Sequence, residues 1–167
     1  FFSLKVHNDS GRARRLSVTG YVEWVLGDVR SKSAMHSSTE IDARTGALYA
    51  RNPYNSEFSD RVAFFDVDEP TRTVTGSRTE FLGRNGTLRN PAAMHRVRLS
   101  GRTGAGLDPC AAMQIAFDLA DGQQRETVFR PGAARHADAA RPPVPPFPGA
   151  PAAPAPPASR RPPRPPP

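Results

Sequence analysis

Apolar positions in this chain alternate with polar ones more often than they recur at helical spacing, so the elements they predict are strands. LSVTGYVEWVLG, residues 16–27, is rich in β-branched and aromatic residues. Its two faces, Tyr21-Glu23-Val25 and Val22-Trp24-Leu26, both carry apolar side chains, which predicts a strand covered on both sides. TEIDARTGALYARN, residues 39–52, reads as two short strands joined at Arg44-Thr45-Gly46-Ala47, with Gly46 supplying the positive φ of a tight turn. RVAFFDV, residues 61–67, is a further strand, and Pro70 ends it. In AMQIAFDLADGQQRETVF, residues 112–129, Met113, Ile115, Phe117 and Leu119 alternate with Gln114, Ala116, Asp118 and Ala120. Asp121-Gly122 then signals a turn and Thr127–Phe129 begins the return, which predicts a hairpin. Asp108-Pro109 also fits a helix start, but the strict alternation favours the strand. Short strands at roughly ten-residue spacing predict an all-β sandwich or barrel. No stretch carries a helical amphipathic stripe, and no internal repeat is visible.

The character changes after Gly132. Residues 133–167 hold 14 of the 19 prolines, a composition that cannot build a packed core. The expected division is therefore a folded domain over 1–132 and a disordered Pro/Ala/Arg-rich tail over 133–167. RPPRPPP at the end fits a ligand of a proline-recognising domain. The favoured expectation is a GC-rich coding frame read out of register, with the change near Phe129–Gly132. FFSLKVHND at the other end reads as the middle of a strand, so the sequence is expected to continue upstream.

Composition narrows the function. The tail supplies +4 of the net charge of +7, and the remaining 18 basic and 15 acidic residues look well mixed, so no nucleic-acid partner is expected. The 21 arginines against two lysines, with abundant Ala, Gly and Pro, point to GC-rich bacterial coding DNA. The single Cys110 excludes an internal disulfide and a cysteine-based zinc site, and is expected to be an inert buried thiol. No apolar run is long enough for a transmembrane helix, and no direct membrane contact is expected.

Candidate chemistry is sparse. His7, His36, His95 and His136 show no metal-ligand spacing, the glycine-rich stretches fit no phosphate loop, and Ser77 and Ser100 lack a nucleophile-elbow context. Glu23, Glu40, Asp66, Asp68, Glu69 and Glu80 qualify as acids only by type, and Glu23 reads as a structural ion pair. Trp24 reads as core. Asn52, Tyr54 and Asn55 lie in the turn-rich NPYNSEF, residues 52–58, where side chains can point outward toward a sugar. TGSRTEFLGRNG, residues 75–86, sets Arg78, Glu80, Arg84 and Asn85 around a Phe-Leu pair.

Several of these segments together resemble one family. GYVEWVLG (20–27), TEIDARTGALYARNPYNSEF (39–58), RVAFF (61–65), SRTEFLGRNG (77–86) and LSGRTGAGLDPCAAMQ (99–114) are similar to glycoside hydrolase family 94, and more narrowly to the phosphorylase region of cyclic β-1,2-glucan synthases. The resemblance runs from about Leu4 to Phe129 and implies a partial β-supersandwich of galactose-mutarotase-like type. It also implies a parent in which inorganic phosphate is co-substrate and attacks a β-glycosidic bond with inversion. The catalytic aspartate of that parent lies on a helical barrel outside this sequence, so no catalytic residue, metal or cofactor is assigned here. The implied partners are β-glucan or oligosaccharide, the helical barrel and a second copy in a homodimer. The implied setting is the bacterial cytoplasm or an inner-membrane synthase. Ser77 stands where the family usually has aspartate. The loop is expected to dock on a partner through its arginines and a Phe-Leu anchor, with direct sugar contact as the sharper reading. The alternatives are a stand-alone carbohydrate-binding module and a non-functional truncated gene product.

Overall fold

The alternation of apolar residues builds two antiparallel sheets packed face to face in the computed structural model, which describes residues 1–135. The tail from 136 onward, and the readings placed on it, lie outside the described residues. The strands are β1 (Phe2–His7), β2 (Arg14–Glu23), β3 (Ser38–Ile41), β4 (Leu48–Arg51), β5 (Val62–Val67), β6 (Arg72–Ser77), β7 (Pro109–Leu119) and β8 (Gln124–Ala134). One sheet runs β1-β8-β5-β4-β3 and the other β2-β7-β6. Short helices α1 (Arg30–Ser33) and α2 (Arg78–Leu82) interrupt the connections. Between the sheets, Leu48, Phe65, Val67, Met113, Ile115, Phe117 and Phe129 are buried with Trp24, which is core as expected although the strand expected over 16–27 ends before it, at Glu23.

Three expectations hold in detail. The hairpin of 39–52 forms, with Asp42 caging its turn and Gly46 at φ +70°. β5 lies on the predicted run and pairs on both sides. Pro109 opens a strand, not a helix.

The expected pairing of the 112–129 hairpin fails. β7 and β8 are strands joined at Asp121-Gly122, but they do not pair with each other. β7 pairs with β2 and β6, and β8 pairs with β1 and β5. The connection is thus an arch that crosses from one sheet to the other. The guanidinium of Arg125 lies 4.5 Å above the Phe117 ring, across that gap. The link between β1 and β2 crosses in the same way beside it. Asn8 ties the two arches: its Nδ2 donates to Leu119 O and Arg12 O at 2.8 Å each, while Gly122 N–H donates to Asn8 O at 2.7 Å. A buried amide with partners on both crossings is satisfied only when both arches are in place.

β8 also runs past the expected break. Phe129 to Ala134 pair with Val67 to Val62 in unbroken register, so residues 133 and 134 belong to the sheet.

Candidate functional site

The residues singled out in the sequence fall into two places. Asn52, Tyr54 and Asn55 come together at the end of β4. Asn52 is buried: its Nδ2 donates to Leu26 O at 2.7 Å and its Oδ1 accepts from Tyr54 N–H at 3.1 Å. Asn55 Oδ1 accepts from the N–H groups of Glu57 and Phe58 at 2.9 and 3.0 Å. Both asparagines therefore shape the loop, since each side chain stands in for a backbone turn partner. Their effect is to turn Tyr54 outward, at 77% exposure, with Phe58 beside it. The His36 ring lies 4.7 Å from the Tyr54 ring, and Arg61 sits 5.3 Å over Phe58. These groups line an open cleft of about 620 Å³, whose rim adds Asp28, Lys32 and Glu57. Two exposed rings with charged and amide groups around them can stack on the apolar face of a pyranose and hydrogen-bond its edges.

TGSRTEFLGRNG takes a different form from the expected loop. Residues 75–77 finish β6, and 78–82 form α2. Ser77 caps the helix, its Oγ accepting from Glu80 N–H at 3.3 Å. An aspartate at this position would cap equally well. The spacing Ser77-x-x-Glu80 is a capping-box signal that foretells the helix. Phe81 and Leu82 do not anchor a partner. They are buried within the chain with Ala93, Leu99 and Ala112, and Tyr21 stacks on Phe81 at 4.3 Å. Glu80 is equally internal. Its carboxylate accepts from Ser100 Oγ (2.6 Å), Thr75 Oγ1 (2.8 Å) and Ser100 N–H (3.0 Å). Burial pushes its pKa up, but these hydrogen bonds and Arg96 outweigh burial and hold it below the ordinary value.

Arg78 belongs to an ion-pair ring. Its Nε meets Glu23 at 2.9 Å and its Nη1 meets Asp108 at 3.3 Å. Arg30 closes the ring against Glu23 at 3.4 Å and against Asp108. Glu23 also accepts from Tyr21 Oη at 2.7 Å. Burial opposes ionisation of Glu23, yet the hydrogen bonds from Arg78 and Tyr21 win and lower its pKa. The ion pair expected for Glu23 is thus present; Arg30 joins it from the start of α1 and Asp108 from the residue before β7. Glu23 and Arg78 edge a second depression of about 590 Å³ with Leu82, Leu88 and Arg89. Arg84 and Asn85 stand exposed on the adjoining turn, which Gly83 enters at φ +90°.

His36, Phe58 and Arg61 were not anticipated. Phe58 lies in the same turn-rich segment as Tyr54 and carried that signal, whereas His36 arrives from the segment after α1 without one. Among the described residues no group of His, Cys, Asp and Glu is placed to hold a metal, and no helix is long and apolar enough to cross a membrane.

Comparison with known proteins fits this architecture. The model of the glycosyl hydrolase 94 supersandwich domain matches residues 1–145. Cyclic beta-(1,2)-glucan synthase NdvB of Rhizobium meliloti is 39% identical over 139 residues, 83% of this chain and 5% of the relative. Cellobionic acid phosphorylase of Neurospora crassa is 31% identical over 140 residues, 80% of this chain and 17% of the relative. N,N'-diacetylchitobiose phosphorylase of Vibrio furnissii is 28% identical over 131 residues, 74% of this chain and 16% of the relative. The chain thus spans under a fifth of each of these relatives. On the length of the match, the chain belongs to glycosyl hydrolase family 94, as its supersandwich domain.

Proposed function

We propose that this chain is a non-catalytic, carbohydrate-associated domain of a β-glucan-processing inverting phosphorylase or cyclic β-1,2-glucan synthase. In this reading the bond is cleaved elsewhere in the larger protein, where inorganic phosphate serves as co-substrate. The domain supports the barrel and meets glycan at the Tyr54 cleft. The observation that carries the glycan reading is the exposed pair Tyr54 and Phe58 held at the mouth of that cleft by Asn52 and Asn55. Exposed rings of this kind have no role in the core, and sugar rings present the apolar faces they match. Arg78, Glu80, Arg84 and Asn85 take no part in the contact, because the first two are committed to internal partners and the other two are not among the residues that line the Tyr54 cleft. A stand-alone module is the weaker reading. β1 is an edge strand with Phe2 at 62% and Leu4 at 42% exposure, a surface that calls for cover by more protein.

Titration of the purified chain with β-1,2-gluco-oligosaccharides and with cello-oligosaccharides, followed by calorimetry, tests the proposal. Binding that falls about tenfold, roughly 1.4 kcal/mol, in Tyr54→Ala at unchanged circular dichroism supports it. Binding that ignores both Tyr54→Ala and Phe58→Ala removes the cleft from the reading. Phosphate-dependent release of sugar phosphate by the chain alone would show the non-catalytic assignment to be wrong.

A further inference from the structure

The apparent mixing of charges along the chain hides one segment. Residues 81–107 contain Arg84, Arg89, Arg96, Arg98 and Arg102 and no aspartate or glutamate. This segment folds as one lobe over α2. Leu82, Ala93 and Leu99 pin it from inside, Ser100 N–H ties it to Glu80, and His95 meets Asn90 at 2.9 Å. All five arginines are exposed on that lobe. Arg96 approaches Glu80 at 3.4 Å, and the guanidinium groups of the other four have no ion-pair partner among the described residues. Between them stand Leu88 at 65%, Met94 at 45% and Val97 at 92% exposure. The depression lined by Leu82, Leu88, Arg78 and Arg89 opens beside them.

We infer that this lobe is a docking surface for an acidic polypeptide segment that carries an apolar anchor. Four of the five arginines have no ion-pair partner among the described residues and the segment carries no acid of its own, so an acidic partner gains attraction that a neutral one does not. Arginine and methionine with few lysines is also the composition that protein interfaces favour over the rest of a surface. A single-stranded nucleic acid fits less well, because residues 82–107 hold no Phe, Tyr or Trp for base stacking, and their one ring, His95, is tied to Asn90. An anionic bilayer would use the protruding Leu88, Met94 and Val97 but leave the depression beside Leu88 unfilled, whereas a peptide side chain can enter it. The inference does not rest on glycan binding at Tyr54, which lies on the other cleft.

The test uses the full chain and a fluorescent synthetic peptide of glutamates around a central Leu-Phe pair. Parallel titrations use phosphatidylserine vesicles and single-stranded DNA. The tail is constant throughout, so differences between variants report on the lobe. The expected result is peptide binding that weakens with salt and falls at least about tenfold in the triple variant Arg84→Glu/Arg89→Glu/Arg98→Glu. Replacing the peptide's Leu-Phe pair by Gly-Ser, or Leu88→Ser in the protein, lowers affinity by about threefold to tenfold. Peptide binding that is equal in wild type and triple variant overturns the inference. So does a lobe-dependent affinity for vesicles or DNA that exceeds that for the peptide. These arginines make no core contact, so the triple variant should melt as wild type does. If it does not, Arg84→Gln/Arg89→Gln serves in its place and is judged by the same two outcomes. Retention of glycan binding in these variants separates this result from that of the Tyr54 test.

Discussion

Replacing Arg72 by methionine should unfold much of the margin that keeps this domain folded. Arg72 starts β6 in one sheet, but its guanidinium reaches the other. It donates to Val67 O at 2.6 Å, to Glu69 O at 3.1 Å and to Thr45 O, and it lies 3.0 Å from Asp66 Oδ1. That last contact is an ion pair and not an aligned hydrogen bond, since Asp66 Oδ1 gains no proper donor from it. Arg130, the partner of Asp66 across β5 and β8, stands off at 3.8 Å. The side chains of Arg72 and Asp66 are only 11% and 10% exposed. Breaking a buried pair from one side costs about 3–5 kcal/mol, because the remaining charge is stranded. That is a large part of the roughly 5–15 kcal/mol by which a domain is stable. At a urea dependence of about 2 kcal/mol per molar, the midpoint should fall by about 2 M. The loss should also depend on pH. Burial raises the Asp66 pKa above its ordinary value, and Arg72 is the chief influence opposing that rise. A carboxyl raised in the folded state favours folding at low pH, and that contribution disappears as pH rises through the folded pKa. Without Arg72 the folded pKa rises further, so the gap between Arg72→Met and wild type is widest near neutrality and narrows in acid. Asp66→Asn should remove that pH dependence and shrink the cost of Arg72→Met by about 0.5–3 kcal/mol in a double-mutant cycle. A midpoint shift that is the same at neutral and acid pH, or that Asp66→Asn leaves unchanged, would refute the stranded-charge reasoning.

Further outcomes follow from neighbouring features. Glu80 is held below its ordinary pKa, so its contribution is present at neutral pH and lost as pH falls through the folded pKa. Wild type should therefore lose stability in acid more steeply than Glu80→Gln, as read by urea midpoints across pH. Gly20→Ala should cost about 1–3 kcal/mol in thermal or urea unfolding. The new Cβ would lie 2.4 Å from Phe129 Cδ1 and 2.8 Å from Phe65 Cζ, where the two rings stack. Cys110 is fully buried, and burial with the nearby Asp108 charge pushes its thiol up to about 12. It should be silent to a thiol-specific disulfide reagent in the folded protein and react at once in denaturant. Rapid labelling without denaturant would show that β7 opens.

Where local residues decide the outcome, the fold was legible. Gly46 permits one turn geometry, and Asp42 and Thr45 complete it with side chains that are adjacent in sequence. Strand pairing is a different matter. Met113 to Leu119 must face apolar neighbours, but alternation looks the same whether the next strand pairs alongside or crosses to the opposite sheet. The deciding contacts are with β1 and β2, over a hundred residues away for most of the register. The helix α2 was legible in Ser77 and Glu80 and went unread because its Phe-Leu pair looked like an external anchor. At the cleft, Tyr54 stood out by residue type and Phe58 by its segment. His36 was out of reach, because nothing near residue 36 announces a ring 18 positions onward.

The central strand of the smaller sheet and the strand linking β1 to the larger one both come from the last stretch of the described chain, β7 and β8. During synthesis, the meander of β3, β4 and β5 has its partners as soon as residue 67 clears the ribosome. β1, β2 and β6 have none until residues 109–134 arrive. For more than eighty residues of translation after β2 is complete, β1 and β2 must wait with unpaired backbone and apolar side chains open to water, and β6 joins them once residue 77 is made. Production of this domain is therefore tied to elongation speed and to chaperones that shield nascent chains. Slow codons placed before β7 would lengthen the dangerous interval, and the same codons placed after β8 would not.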